Sequence, residues 1–374
     1  MRVLSIELAN FRNYAAIEFE PPAGTSILIG ANAQGKSNLL EALALLATGK
    51  SFRASREADM VRSQAPAANV SARVQTRHGE VRAACIITAV GEGSRKRFFR
   101  SGRAVPYGQF LGGIAAVTFT PFDLALVGGP AALRRRMLNA ALAQSGRGYY
   151  RDLAHYAKVL AQKNALLRFS AGADRTLLDT YNDQLCDCGV RVSAARAAYV
   201  RRLAVETASV HARWIRGHQV LHVEYRPSPA QDDESPPAMA NVLRAALDKA
   251  MPAEIARKIA LVGPHRDDFA LLLDAQPLAR FGSQGQQRTA ILALKSAEYF
   301  LLHASAGEAP LLLLDDVLSE LDGARRMAFL ETLGDYDQAF ITATELPELP
   351  AALRPAVIGV EDGRLTPLSA VHSS

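Results

Sequence analysis

Glycines stand at both ends of the run Gly30-Ala31-Asn32-Ala33-Gln34-Gly35-Lys36-Ser37, which closes on a lysine and a serine. Such a loop curls so that successive N–H groups face inward, and a helix beginning at its end points the positive end of its dipole at the same spot. That arrangement receives an anion, above all the phosphates of a nucleoside triphosphate. Lys36 would add a point charge at the outer phosphates, and the Ser37 hydroxyl suits Mg²⁺. A second pair, Asp315 and Asp316, follows the continuous apolar run 311–314. Acids at the carboxyl end of a buried strand face a ligand bound beyond the sheet edge. Asp315 is placed for the Mg²⁺ shell and Asp316 to orient or deprotonate an attacking water. Ser283-Gln284-Gly285-Gln286 fits a capping box, yet the same helix N-terminus could present N–H groups to a γ-phosphate, and the spacing leaves both readings open. The plain alternatives are a glycine-rich strand-to-helix turn and a solvated acidic turn.

These groups need a strand, a loop and a helix in the right order. Residues 25–29 form a short apolar run before the loop, and residues 38–46 read as a helix after it, with a stop at Thr48-Gly49. Alternation over residues 3–8 predicts a half-buried strand, turned by Phe11-Arg12-Asn13-Tyr14 into a second around Ile17 and Phe19. From residue 69 to 99 alternation predicts a small antiparallel sheet, with hairpins near His78-Gly79 and Gly91-Glu92-Gly93. One further strand is expected over 114–119, closed by Pro121.

Residues 131–144 then read as a helix, and 149–217 is helical almost throughout, an insertion rich in Ala, Leu and Arg. Residues 227–237 are too polar and proline-rich to pack, and a helix over 241–249 follows. The α/β pattern is expected to resume at Ile259-Ala260-Leu261-Val262, with a helix after Ser283 to about His303, a buried parallel strand at 311–314, a helix over 323–333 and a strand at 339–341. No internal repeat is found.

The 374 residues are 49% hydrophobic and 21% charged, enough for a well-buried core in one large or two smaller domains. A net charge of +6 and a pI near 9.3 favour a polyanionic partner, a bias mild enough to count for little alone. Arg2, Glu7 and Arg12 interrupt the N-terminal apolar residues and no apolar run is long enough to span a membrane, so a cytoplasmic protein without membrane attachment is expected. Three cysteines, Cys85, Cys186 and Cys188, are too few for a disulfide framework, and Cys186-x-Cys188 lacks the other ligands of a zinc site.

Taken together the motifs resemble the RecF family, the bacterial DNA-repair branch of the ABC-type ATPases that includes the heads of SMC proteins. The resemblance spans nearly the whole chain. It rests on the opening Leu8-Ala9-Asn10-Phe11-Arg12-Asn13-Tyr14, the loop from Gly30 to Ser37, Phe119-Thr120-Pro121 with Asp123-Leu124, Arg134-Arg135-Arg136, Gly263-Pro264-His265-Arg266-Asp267-Asp268, Ser283-Gln284-Gly285-Gln286-Gln287-Arg288, and Asp315-Asp316 with Ser319-Glu320-Leu321-Asp322.

The resemblance implies an α/β fold, a P-loop NTPase of the ABC/SMC-head type with an antiparallel β subdomain and an inserted helical arm. Residues 1–118 and 259–374 would form the head and 119–258 the arm. It further implies binding of ATP and Mg²⁺, with Arg12 and the loop on the nucleotide, and an ATP-dependent homodimer in which each loop faces Ser283 to Gly285 of the other subunit. Residues 319–322 would touch across that dimer, which would clamp single-stranded, gapped or junction DNA, with weak DNA-stimulated ATPase activity. RecR, with RecO and RecA, would be its partners in recombinational repair, replication-fork maintenance and the SOS response.

Three departures stand out. Phe122 replaces a usual acid, leaving Asp123 for any nucleotide-sensing role; Asp316 stands where many ABC ATPases have Glu; and Thr342 or Thr344 occupies the place of a histidine.

A transporter ATPase subunit would leave the basicity unexplained, a small-molecule kinase has no need of Ser283-Gln284-Gly285-Gln286, and the distance between Lys36 and Ser283 is too short for a long-arm SMC head. For DNA, the candidates are Arg134, Arg135, Arg136, Arg53 and Arg56, with Arg201 and Arg202; the alternative is a solvated helix face.

Overall fold

A computed structural model describes residues 1–368 apart from 55, 91–92, 170–173, 216–217 and 232. Of the segments discussed above, Gly91, Glu92, Ser170, Ala171, Gly172, Ala173, Arg216, Gly217 and Asp232 therefore lie outside the described residues. The chain divides into two compact units, Met1–Leu124 with Arg213–Arg216 and Gln284–Ser374, and Ala125–Ala212 with Gly217–Ser283.

The first unit holds two six-stranded sheets. One is antiparallel, built from β1 (Arg2–Phe11), β2 (Tyr14–Phe19), β4 (Ala67–Thr76), β5 (Gly79–Val90), β6 (Gly93–Arg100) and β7 (Arg103–Val105) in the order β2-β1-β4-β5-β6-β7. The strand pair and the small sheet expected separately are thus one sheet, because β1 pairs with β4. Leu8, Val70, Cys85 and Phe98 lie in register across four strands, and all four are buried. That row is the period-two pattern made into a core face.

The other sheet contains β3 (Gly24–Ile29), β8 (Ala116–Phe119), β12 (Leu311–Leu314), β13 (Gln338–Ala343), β14 (Ala356–Glu361) and β15 (Arg364–Leu368), ordered β15-β14-β3-β13-β12-β8. It is parallel from β14 to β8, with β15 antiparallel at one edge. All four leucines of β12 are fully buried, as a strand covered on both faces requires. Helix α1 (Lys36–Thr48) packs against strands of both sheets, and Leu39, Leu40, Ala42 and Leu45 are all fully buried. A helix apolar nearly all round is a buried one.

The second unit comprises α2 (Ala131–Ser145), α3 (Arg147–Phe169), α4 (Arg175–Trp214, its last two residues in the first unit), α5 (Pro236–Arg257) and a three-stranded sheet, β11 (Gln276–Pro277), β10 (Asp268–Leu273) and β9 (Leu221–Arg226). By its internal contacts the second unit covers Ala125–Ala212 and Gly217–Ser283, where an arm over 119–258 was expected. Residues 259–262 form no strand: side chains satisfy their backbone instead, Asn164 Oδ1 accepting from Ala260 N–H and Glu254 Oε1 from Leu261 N–H. Their apolar run resembled a strand because burial alone does not distinguish strand from coil packed under a helix. The alternation at Phe269, Leu271 and Leu273 is a real strand, but it pairs with β9 of the same unit.

Gly263-Pro264-His265-Arg266-Asp267-Asp268 ties this unit together. Asp267, fully buried, accepts from Arg196 Nη1 at 2.8 Å, the Tyr225 hydroxyl at 2.5 Å and the Ser228 N–H at 2.9 Å. Arg196, also buried, donates as well to the Pro264 carbonyl, Tyr149 and Asn139. Gly263 has φ 127°, and a Cβ there would lie 2.4 Å from the Tyr156 hydroxyl. His265 hydrogen-bonds that hydroxyl through Nδ1 at 2.6 Å, and burial pushes its pKa down to about 4.

Two outcomes follow from this buried network. Asp267→Asn leaves the Arg196 cation buried and short of its anion, so urea unfolding should lose about 3–5 kcal/mol, against a few tenths for an exposed control such as Glu345→Gln. His265 has its folded pKa below the unfolded value, so its stabilisation is complete above about pH 6.5 and is lost as the pH falls towards about 4. That amounts to about 3 kcal/mol at about 1.4 kcal/mol per pH unit. A His265→Gln variant should show a shallower fall in stability between pH 7 and 4 than the parent.

Candidate functional site

Strand β3 ends at the carboxyl edge of the parallel sheet and delivers the loop into α1. Gly30 has φ 155°, and a Cβ there would stand 2.2 Å from the Val360 carbonyl oxygen of β14, so no side chain fits. Gly35 has φ 119°, and its Cβ would approach Asn13 and Tyr14 within 3.1 Å. Both glycines are thus set by close backbone approach. Ala33 also adopts positive φ, at 66°.

The loop is braced from two sides. Asn13 Nδ2 donates to the Gln34 carbonyl at 2.9 Å and the Tyr14 hydroxyl to the Gly35 carbonyl at 3.0 Å, both from the β1–β2 turn. From the β14–β15 turn, Gly363 N–H donates to the Gln34 carbonyl at 3.0 Å and Asp362 N–H to Gln34 Oε1 at 2.7 Å. Asn38 on α1 donates to Asn13 Oδ1, closing the circuit. Across the loop, Lys36 Nζ donates to the carbonyls of Gly30 at 2.5 Å and Ala31 at 2.8 Å. Burial lowers the Lys36 pKa, and the charges of Asp316 and Asp315 oppose that shift.

One turn into α1, Glu41 is fully buried and accepts from Arg12 Nε and Nη2, Arg53 Nε and Ser51 Oγ. Burial alone would raise its pKa, but these hydrogen bonds and the two guanidinium charges hold it below the ordinary carboxylate value. Arg12 also donates to the Asp59 carbonyl, so most of its donors brace the loop's helix. Arg53 reaches Asn38 as well, and its charge acts on Asp315. The structure therefore places Arg53 beside the loop, a position its sequence context did not suggest.

Only β13 separates the loop strand from the acid strand. Asp315, buried at the end of β12, hydrogen-bonds the Ser37 and Thr342 hydroxyls, the latter at 3.0 Å. Burial raises its pKa, while those hydrogen bonds and Arg53 pull it down. Asp316 is exposed, with φ 52°, and its N–H donates to Thr342 Oγ1 at 2.8 Å. Thr342 thus fixes both acids at once from the neighbouring strand β13. Ser319 Oγ donates back to the Asp316 carbonyl, and Asp322 caps α7 (Gly323–Glu331).

Lys36, Ser37, Asp315 and Asp316 are accordingly gathered at one sheet edge. A hydroxyl and a carboxylate in mutual contact are the oxygen donors a hard divalent cation takes from protein, the remainder coming from phosphate and water. Among the described residues no group of three or more His, Cys, Asp or Glu is arranged to hold a metal by itself.

Ser283 falls where the second unit ends, and α6 (Gln284–Ala306) begins immediately after it. Gly285 lies close under Arg325 Nη1, 2.9 Å from where a Cβ would be. Asp123, the sensing candidate, accepts from the Thr120 N–H and hydroxyl.

The arginine triplet requires correction. Arg134 is buried, its guanidinium paired with Asp268 at 2.6 Å and bonded to the Leu126 and Gly129 carbonyls. Arg135 is half-buried and donates to the Asp267 carbonyl. Helical spacing of about 100° per residue puts only one of three consecutive arginines on any one face, and here Arg136 is the exposed one. Arg56 and Arg202 are exposed, and Arg201 pairs with Glu234. Sequence reasoning missed Glu41, and it named Asn13 and Thr342 without anything in the pattern that tied them to the loop or to the two acids.

A family profile described as the RecF/RecN/SMC N terminal domain matches residues 2–362. The chain is 38% identical over 349 residues to a protein of an Exiguobacterium species named DNA replication and repair protein RecF, covering 92% of this chain and 93% of that one. A protein of the same name from Staphylococcus carnosus is 35% identical over 350 residues, covering 92% and 94%. Among solved structures, the recombination mediator protein RecF-ATP in the RecFOR pathway superposes with TM-score 0.89 at 30% identity over 98% of each chain. An SMC head bound to the C-winged helix domain of ScpA, at TM-score 0.55 and 15% identity, shares the fold. The architecture is that of a P-loop NTPase of the ABC/SMC-head type with an antiparallel β subdomain and an inserted helical arm.

Thr342→Val keeps the shape of the side chain but removes the oxygen that holds the Asp316 N–H and the donor to Asp315. With its N–H no longer held, Asp316 loses its fixed position, so nucleoside triphosphate turnover should fall about 10- to 100-fold with nucleotide affinity little changed. Lys36→Ala should instead abolish or greatly weaken binding, and fluorescent-nucleotide titration separates the two.

Proposed function

The chain belongs to the RecF family of DNA replication and repair proteins, within the RecF/RecN/SMC class, and from that premise we propose that it is an ATP-dependent DNA-binding protein whose binding state is timed by hydrolysis. The observation that carries this reading is the contact between Ser37 of the loop and Asp315 of the acid strand, with Lys36 beside them. It is supported by similar structures described with ATP and with ATPrS.

In this reading the loop N–H groups and Lys36 hold the phosphates of ATP. Ser37 and Asp315 hold Mg²⁺, which supplies positive charge that polarises the terminal phosphate. Asp316, fixed through its N–H to Thr342, orients the attacking water or accepts its proton. The braces from Asn13, Tyr14 and Gly363 keep the loop in its receiving shape, so little reorganisation accompanies binding.

Two copies close over two ATP molecules, each loop facing Ser283, Gln284 and Gly285 of the other copy. The closed homodimer clamps single-stranded, gapped or junction DNA, and a weak, DNA-stimulated hydrolysis releases it. RecR is the direct partner, and RecO and RecA act in the same pathway, loading RecA at single-strand gaps and permitting normal SOS induction. The protein works in the cytoplasm; among the described residues no helix is long and apolar enough to cross a membrane.

Sedimentation tests the central step. The parent should shift from monomer to dimer on adding ATP, Ser283→Arg should bind ATP yet remain monomeric, and Asp316→Asn should stay dimeric and DNA-bound after the parent has released. A parent that stays monomeric in both conditions removes the two-copy reading.

A further inference from the structure

Residues 93–103 hold Arg95, Lys96, Arg97, Arg100 and Arg103 without a single acid. The structure sorts them. Lys96 pairs with Glu57 and donates to the Gly49 carbonyl, and Arg100 donates to the Phe110 carbonyl. Arg95, Arg97 and Arg103 are exposed, and none has an acidic partner among the described residues.

Elsewhere on this face Arg82 pairs with Glu7 at 3.1 Å, and Arg73 lies within 3.8 Å of Glu20 and Glu80. The middle of the sheet is therefore balanced, whereas the outer face of β6 carries cations with no acid beside them among the described residues. Arg95 stands opposite Thr88, Arg97 opposite Ile86 and Phe99 opposite Ala84, so the face around them is uncharged. The Arg97 guanidinium lies over the Phe99 ring, 5.3 Å from its centroid. Strand β7 pairs with Phe98–Arg100, so among the described residues no strand flanks 93–97 on that side.

We propose that the outer face of β6, through Arg95 and Arg97, forms a track for the sugar-phosphate backbone of DNA. Arg95 and Arg97, two apart on one strand, are spaced about 6.7 Å, a repeat that suits successive phosphates of an extended strand. Phe99, already stacked under a guanidinium, offers a flat apolar surface beside them. Thr88 adds a hydroxyl donor for phosphate oxygens. An acidic polypeptide satisfies the charges but makes no use of a ring paired with a guanidinium. This surface rests on the DNA-binding reading and replaces Arg134 and Arg135 in it.

The test is DNA affinity measured in ATP between 50 and 200 mM salt for the parent, Arg97→Gln, and the double variant Arg95→Gln/Arg97→Gln. Each lost phosphate contact should reduce the salt slope by about 0.9 on duplex DNA, so the double variant should lose about 1.8, with ATP-dependent dimerisation unchanged. An unchanged affinity and slope in the double variant overturns the assignment; should that variant fold poorly, judged by circular dichroism, Arg97→Gln alone decides by the same criterion. Polyglutamate should displace DNA only weakly, and displacement as effective as that by competitor DNA also overturns it. A parent that binds no DNA under any of these conditions overturns the DNA-binding reading itself, a result distinct from a parent that binds and a variant that binds equally well.

Discussion

The charge on Glu41 has no water to share it, and much of the head is arranged around that fact. Removing a carboxylate from water costs several kilocalories per mole even after relaxation, so its partners must be present and well aimed. They come from two separate places: Arg12 at the β1–β2 turn, and Ser51 and Arg53 in the segment after α1. Each partner draws its own stretch of chain against the helix that carries Lys36 and Ser37. The antiparallel sheet is thereby registered on the phosphate loop by an interaction that tolerates little slippage, and the same turn that supplies Arg12 supplies Asn13 and Tyr14 to the loop carbonyls.

A second buried network, around Asp267 and Arg196, uses the same physics for a different end. Its motif, with histidine, arginine and two acids in six residues, has the composition of a reactive site. Asp267 is hydrogen-bonded internally, by Arg196, Tyr225 and Ser228, and His265 is held neutral by burial against Tyr156. A buried cluster whose members satisfy one another fixes the packing of α4, β9 and β10. By contrast, Asp316 keeps its carboxylate exposed while its backbone is anchored, the combination that the proposed hydrolytic role requires.

The contrast explains what could be read from the chain alone. The loop, its strand and helix, the leucine run and the two acids were legible because each is a local pattern whose meaning survives in any tertiary setting. The arginine triplet was not, since a run of like charges says nothing about which member turns inward; only the opposing Asp268, 132 positions beyond Arg136, decides that. Residues 259–262 misled for a related reason: apolar residues need burial, and Asn164 and Glu254 supplied the backbone partners that a sheet would otherwise have given. Thr342 was legible only as a departure, a hydroxyl where a histidine was sought; that it bridges two acids depends on β13 lying between β3 and β12.

The choice of aspartate at 316 has a backbone reason as well as a reach. Its φ of 52° places it in the left-handed region, where Asp and Asn are tolerated better than longer side chains because they can hydrogen-bond locally. That turn directs the chain out of β12 toward Ser319, whose hydroxyl holds the Asp316 carbonyl, and the N–H is held by Thr342. Both backbone groups of the residue are therefore fixed while the carboxylate is short and exposed. A glutamate would reach farther but would sit less easily in this conformation, so the geometry favours a firmly positioned acid with limited reach. Such an acid suits the proposed role, in which hydrolysis times release and need not be fast.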